Sequence, residues 1–251
     1  MDLQNEIRNF QRGAKIKNTQ QQIDEKLVKW AIDKGYADAK RTFKGIGACS
    51  EEKAKAFENL KRKLLCFFTN KCPTGWDDYM QIHEQWCDEF INDLKPFSAS
   101  YGQAQKVINM AMKYIFCSTN QKSNFFEFCH MALDSYILAW YNRQKIGKTN
   151  TSWSSLTKDE YKEIQCKIYK FLKDGNGKYY KRKFGKRKLS LEFIPLDCAP
   201  IKAEFVIWSC EINYPNLAST YITIKEIQAK NIDVSMLEGT DEKELLNLIK
   251  Q

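Results

Sequence analysis

Apolar residues recur three and four positions apart along much of the chain, which is the spacing of amphipathic helices. The pattern is present in four segments: 20–34, 51–69, 76–94 and 158–173. Gly35 is expected to end the first helix. Residues that favour helix starts precede two of these segments: Ser50 before 51–69, and either Ser155 or Thr157 before 158–173. Two further helices are predicted, an apolar core helix that begins at Pro200 and a C-terminal helix capped by Thr240. The pattern predicts a mainly α protein.

No internal repeat, low-complexity stretch or linker divides the sequence. At 251 residues the chain is long enough to bury a sizeable core. Residues 1–251 are therefore expected to form a single helical domain, either undivided or in two lobes around a cleft.

Residues 97–143 are the stretch around which the predicted fold is organised. Residues 97–101 are small or turn-forming and Gly102 permits a sharp change of direction, so a helix is expected to open on Lys106. There the positive end of the helix dipole favours the neutral amine. After a polar loop, Asp134 is expected to cap a second helix through its carboxylate. If the two helices pack together, the amine and the carboxylate meet in one cleft.

The charge of the chain favours a polyanionic partner. Forty Lys and Arg against thirty-one Asp and Glu give a formal net charge of +9, which suits nucleic acid or an acidic membrane surface. The sequence contains no run of about eighteen apolar residues, and its N-terminal segment lacks the apolar core of a secretory signal. The protein is therefore expected in the cytoplasm, and on the nucleoid when it is bound to DNA.

Residues 174–195 are predicted to form a basic insertion. Seven of the eleven residues 178–188 are Lys or Arg, with aromatic residues interleaved. These cations are candidates for contact with a phosphate backbone. The plainer interpretation is a solvated hairpin or a basic loop. The candidate DNA-binding residues are Lys181, Arg182, Lys183, Lys186, Arg187 and Lys188.

Metal chemistry has few possible ligands in this sequence. The nine cysteines form no C-x-x-C pair, and the only histidines are His83 and His130. His130 and Asp134 are four residues apart, but no third ligand lies near them in the sequence. No metal or other cofactor is predicted.

The central stretch resembles the helix-hairpin-helix DNA glycosylase superfamily, and most closely its archaeal 8-oxoguanine glycosylase branch. Those proteins have a Gly-x-Gly-x-Lys hairpin that leads into an apolar helix, and a Pro-Val-Asp segment that opens the next helix. In GQAQK and MALDSYIL, Gly102, Lys106 and Asp134 match the family pattern. Ala104 stands in place of the second glycine and Ala132 in place of the proline. The likeness covers about a fifth of the chain.

The resemblance implies a helix-hairpin-helix DNA glycosylase-like fold with a basic C-terminal insertion and its catalytic core at residues 97–143. It implies that Lys106, as a free amine, attacks C1′ of a flipped-out nucleotide and forms a Schiff base with the sugar. Asp134 would stabilise the positive charge that develops at the sugar and help to manage the lysine proton. The amides of Gly102, Gln103 and Ala104 would hold a DNA phosphate. The implied activity is excision of an oxidised purine from double-stranded DNA, followed by β-elimination.

Two other functions stay open from the sequence. The same lysine chemistry could act on hypermodified bases of phage DNA, as an antiviral defence. Alternatively, the chain could be a basic helical module that binds DNA or RNA without catalysis, in which Lys106 is an ordinary helix residue and Asp134 a routine cap. In each case a monomer without cofactors is expected.

Overall fold

Eight α-helices and one β-hairpin are present in the part of the chain that the computed structural model describes, residues 3–16, 22–45, 50–70, 72–119, 124–174, 178–185, 188–195 and 199–213. The helices are α1 (Leu3–Gly13), α2 (Glu25–Ala39), α3 (Glu51–Thr69), α4 (Trp76–Asp93), α5 (Tyr101–Ser118), α6 (Ser135–Arg143), α7 (Lys158–Lys173) and α8 (Pro200–Asn213). The strands β1 (Lys178–Gly185) and β2 (Lys188–Pro195) pair antiparallel. The predicted mainly α class is confirmed.

Helix α5 is the centre of the fold. All 18 of its residues are buried, and two of them are lysines. Helix α2 makes the most extensive contact with α5, and α1, α4, α7 and a 3-10 turn at residues 153–155 also pack against it. A helix covered on all sides has no solvent-facing stripe. The polar side chains of α5 must therefore find their partners inside the protein.

Two glycines let neighbouring backbone come close to α5. A Cβ on Gly35 of α2 would lie 2.4 Å from the carbonyl oxygen of Val107, and a Cβ on Gly102 would lie 2.0 Å from the carbonyl oxygen of Trp153. Only glycine permits such an approach. Helix α2 consequently runs through Gly35 to Ala39, and the predicted helix end near Gly35 is wrong.

Helix α5 begins at Tyr101, before the predicted start at Lys106. A capping box starts it, in which the Gln103 amide donates to Ser100 Oγ at 3.1 Å and the Ser100 amide donates to Gln103 Oε1 at 2.8 Å. Residues 102–106 therefore form the first turns of a helix, and the predicted hairpin at this position is wrong. The sequence carried the signal as Ser-x-x-Gln at residues 100–103.

Other predicted helix starts are confirmed. Ser50, Asp134 and Thr157 accept backbone amide protons as the N-caps of α3, α6 and α7, and Pro200 begins α8. The helix predicted to begin after Thr240 lies outside the described residues.

Candidate active site

Lys106 and Asp134 lie side by side on the wall of a cavity. Lys106 belongs to the second turn of α5, and Asp134 immediately precedes α6. Lys106 Nζ lies 2.9 Å from Asp134 Oδ2, and the two side chains are only 7% and 13% exposed. The structure thus brings together the two candidate catalytic residues in a charge-assisted hydrogen bond. Because α5 starts at Tyr101, the helix dipole acts on Lys106 less directly than the sequence predicted.

Asp134 is held by the backbone as well as by Lys106. Its Oδ1 accepts the amide protons of Tyr136 and Ile137, each at 3.0 Å. Burial alone would raise the pKa of Asp134, but the Lys106 ammonium and the Ile137 amide outweigh that effect and hold the pKa below the usual value of an aspartate. Asp134 is therefore a fixed negative charge whose second oxygen points at Lys106.

A second ion pair lies further along α5. Lys113 Nζ lies 2.7 Å from Glu204 Oε1, and both side chains are 1% exposed. The Lys113 ammonium is also 4.8 Å from the ring centre of Phe10 and 4.6 Å from that of Phe205, a distance at which a cation is attracted to the face of an aromatic ring. This pair joins α5 to α8 and places two more charges beside the same cavity.

An extended segment, residues 129–133, delivers Asp134 to α5, and we call it the anchored segment. It belongs to no helix or strand, yet its backbone is buried and needs hydrogen-bond partners. Side chains supply them: Gln105 bonds the amide and the carbonyl of Leu133 (3.2 and 3.0 Å), Glu204 accepts the Ala132 amide (2.8 Å), and Gln165 and Asn109 donate to the Met131 carbonyl (2.6 and 3.3 Å). Side chains of α5, α7 and α8 therefore position Asp134.

The cavity has a volume of about 680 Å³, which lies within the usual range of small-molecule sites, roughly 300–1,000 Å³. Both ion pairs line it. Aromatic rings form much of the remaining wall: Phe10, Tyr114, Tyr136, Trp153, Phe205 and Trp208. Such a cavity can stack a planar ligand between rings and place charged groups at the ligand's edges.

Helices α1 and α2 complete the cavity, and the sequence analysis did not find their contribution. They supply Glu6, Asn9, Phe10 and Asp38, and the 3-10 turn that follows α2, Lys40–Thr42, adds Arg41. Helix α1 had a weak local signal in the spacing of Leu3, Ile7 and Phe10. The pairing of Lys113 with Glu204 had none, since these residues are 91 positions apart.

The predicted phosphate contact at residues 102–104 is not supported. The Gly102 amide donates to the carbonyl of Leu156 at 3.0 Å. The Gln103 and Ala104 amides donate to the side chain and the carbonyl of Ser100, each at 3.1 Å. All three amides are thus occupied inside the protein, which removes the physical basis for holding a DNA phosphate there.

The basic segment forms a β-hairpin, one of the forms that the sequence allowed. Lys181, Arg182 and Lys183 lie in β1, and Lys188 begins β2. The register pairs Lys181 with Glu192 and Lys183 with Ser190. The candidates Lys186 and Arg187 lie outside the described residues. Contact of this hairpin with DNA stays a prediction.

The two histidines belong to a different cluster, which is closed to solvent. His83 Nε2 lies 2.9 Å from Asn109 Oδ1, and His130 Nδ1 lies 2.8 Å from the Tyr161 hydroxyl. Burial lowers the pKa of His83 to about 3 and the pKa of His130 well below its usual value, so both rings are neutral. Across the described ranges, no group of three or more His, Cys, Asp or Glu is arranged to hold a metal ion.

No protein-family model, curated protein or solved structure matches the chain. Of the helices in the described part, none combines the length and the apolar character needed to cross a lipid bilayer. What the cavity does is therefore inferred from its own residues.

Proposed function

We propose that the protein is a DNA glycosylase that removes a damaged or modified base, with Lys106 as its nucleophile. The observation that carries the proposal is the buried pair of Lys106 and Asp134, 2.9 Å apart on the wall of a ring-lined cavity. A primary amine next to a fixed carboxylate, in a pocket large enough to admit a base, is suited to attack at a sugar carbon.

The chemistry follows from the two side chains. After loss of a proton, the Lys106 amine attacks C1′ of a nucleotide turned out of the helix, and the base departs. The charge of Asp134 stabilises the positive sugar that develops as the bond to the base breaks. The resulting Schiff base allows β-elimination, so strand nicking accompanies base removal.

The walls of the cavity suit a planar ligand, and the resemblance supplies the class of base. Rings such as Phe10, Tyr136 and Trp208 can stack on a flipped base. The resemblance favours an oxidised purine in double-stranded DNA, and a hypermodified phage base is the alternative within the same chemistry. Lys181, Arg182, Lys183 and Lys188 on the hairpin would contact the phosphate backbone in either case. The protein would act as a monomer without a cofactor.

The test is covalent trapping. Borohydride reduces a Schiff base to a stable bond, so duplexes carrying a panel of altered bases should yield a protein–DNA adduct for the true substrate. Lys106→Ala should abolish the adduct. Lys106→Arg should abolish it as well, because it keeps a cation beside Asp134 but lacks a nucleophilic amine. The matched control is Lys29→Ala on the exposed face of α2, which should leave the adduct unchanged.

A non-catalytic nucleic-acid module is the second candidate. It is favoured by the pairing of Lys106 with Asp134, since a buried lysine in an ion pair can serve structure alone. In that case DNA affinity would fall with salt and with loss of Lys181, Arg182 and Lys183, and no duplex of the panel would release a base or form an adduct. An adduct that persists in Lys106→Ala would also overturn the role of Lys106.

A further inference from the structure

Asp38 is a carboxylate on the cavity wall, and among the described residues no cation is its direct partner. It lies near the end of α2 and is accessible to solvent. Within the part of the chain that the structure describes, its one hydrogen bond comes from the Tyr114 hydroxyl, at 2.9 Å. Asp134 and Glu204, by contrast, each lie within 2.9 Å of a lysine ammonium. Asp38 can therefore gain or lose a proton without breaking an ion pair.

The environments of Asp38 and Asp134 act in opposite directions. Asp38 is accessible to solvent, but the partial burial of its carboxyl group still raises its pKa, although the Tyr114 hydroxyl and nearby lysines lower it in part. The pKa of Asp134 is held below its usual value, because Lys106 and a backbone amide outweigh its burial. When one site shifts the pKa values of two carboxyl groups apart, one group commonly carries a proton and the other supplies a fixed charge.

The proposed glycosylase chemistry needs a proton carrier. Lys106 must lose a proton before it can attack, and the departing base must gain one. Asp134 is poorly suited to either step, because two backbone amides and Lys106 hold it as a carboxylate. Asp38 lines the same cavity and feels the charges of both cavity lysines.

We propose that Asp38 is the proton relay of this site. The proposal rests on the proposed glycosylase function and assigns a further residue to it. No ion pair or hydrogen bond joins the described side chains of Asp38 and Lys106, so ionised Asp38 first takes a proton from the Lys106 ammonium through a water molecule in the cavity. The nitrogen lone pair then forms a bond to C1′ as the bond from C1′ to the base breaks. The electron pair of that bond leaves with the base nitrogen, which takes the proton from Asp38.

Asp38 acts again in forming the Schiff base. The nitrogen bonded to C1′ still carries two protons, and ionised Asp38 takes one of them. It passes this proton to O4′ as the bond between C1′ and O4′ breaks. The three protons of the Lys106 ammonium end on the base, on O4′ and on the Schiff-base nitrogen, and Asp38 is a carboxylate at the start and at the end.

The first test compares the wild-type protein with Asp38→Asn on two duplexes, under single-turnover conditions. On a duplex with the base that wild type releases, Asp38→Asn should lower the rate of base release about 100-fold or more, the usual contribution of general acid–base catalysis. On the same duplex with an abasic site no base departs, so the defect in borohydride trapping should be smaller than the defect in base release. Asp33→Asn, on the exposed face of α2, is the matched control.

The second test is the pH profile of base release. Wild type should lose activity as the pH falls through the pKa of Asp38, which lies above the ordinary aspartate value of about 4. Asp38→Asn should lack this acid limb. Tyr114→Phe should move the limb to higher pH, because the Tyr114 hydroxyl lowers the pKa of Asp38. The other charged groups that act on Asp38 are unchanged in both variants: Lys34, Lys106 and Lys113.

The outcomes distinguish a failure of the proton relay from a failure of the proposed glycosylase function. Unchanged base release in Asp38→Asn, with Lys106→Ala still inactive, would overturn the relay and leave the nucleophile in place. An equal loss of rate at every pH, with the acid limb retained, would show that Asp38 acts only on structure and would overturn the relay too. No base release and no adduct in wild type would overturn both proposals. If Asp38→Asn fails to fold, the shift expected in Tyr114→Phe decides.

Discussion

Two polar clusters share α5 and differ in access and charge. The cavity cluster comprises the ion pairs of Lys106 with Asp134 and of Lys113 with Glu204. The closed cluster contains His83, His130, Tyr161 and Asn109, which are 0–1% exposed and linked by hydrogen bonds. Its histidines are neutral, as a site without water requires. The charged pairs line the cavity, and neutral hydrogen bonds hold the cluster that lies away from it.

Glu204→Ala should give the largest loss of stability, because Glu204 is the buried partner of both Lys113 and the Ala132 amide. It would leave Lys113 buried without a counter-charge and the Ala132 amide without its acceptor. Removing one partner of a buried ion pair costs about 3–5 kcal/mol, measurable as a lower free energy of unfolding in urea. Glu163→Ala, which breaks an exposed pair with Lys167, should cost less than about 1 kcal/mol.

The second expected effect is a loss of stability in mild acid. The folded-state pKa of His83 is about 3 and that of His130 lies well below its usual value, whereas both rings protonate near pH 6.5 in the unfolded chain. The stability they contribute is complete above about pH 6.5 and is lost as the pH falls toward the folded-state values. Between pH 7 and 5.5 the two rings should lower the free energy of unfolding by about 2–3 kcal/mol.

Urea denaturation at a series of pH values measures this dependence. His83→Gln should show a shallower fall than wild type, because one of the two titrating rings is gone. A free energy of unfolding that stays constant between pH 7 and 5.5 would contradict the neutral state of the closed cluster.

Gly102→Ala comes next and tests the packing at the start of α5. The added Cβ would meet the carbonyl oxygen of Trp153 at 2.0 Å, so the 153–155 turn must move. Overpacking of this kind costs about 1–3 kcal/mol, seen as a lower thermal midpoint. Gly13→Ala, whose Cβ meets nothing within 4 Å, should be neutral or stabilising. Equal behaviour of the two variants would show that Gly102 is not needed for close packing.

Tyr161→Phe should give the smallest loss of stability, and it tests whether the closed cluster takes part in the chemistry. The hydroxyl of Tyr161 bonds Asn109 and His130 at 2.9 and 2.8 Å, and its loss should cost about 1 kcal/mol. Adduct formation with a substrate duplex should not change, because Tyr161 does not line the cavity. Loss of the adduct in a folded Tyr161→Phe protein would place the closed cluster in the chemistry after all.

Local sequence signals predicted three helix caps correctly and misread two glycines. Ser50, Asp134 and Thr157 work as caps because each acts on amides two or three positions away. Gly35 and Gly102 are typical of helix ends and turns, but both lie within helices where backbone from elsewhere comes close. Such an approach is a tertiary contact, and no window of neighbouring residues contains it.

The contacts of the candidate site could not be predicted from the sequence either, because they join residues far apart in the chain. Lys106 and Asp134 could be singled out because a resemblance joined them, not because their spacing showed contact. Asp38 is 76 residues from Tyr114, and Glu204 is 91 from Lys113. Glu6 and Phe10 reach the cavity only because α1 packs against α5 and α8. These partners are set by how the helices pack, which the periodicity of each helix leaves undetermined.

The anchored segment bears on how this site could be transferred to another scaffold. Asp134 is aimed at Lys106 by an extended backbone that side chains from three helices hold in place. Grafting the lysine and the aspartate alone would leave that backbone without partners. The smallest portable unit is therefore the pair together with the four side chains that bind residues 131–133: Gln105, Asn109, Gln165 and Glu204.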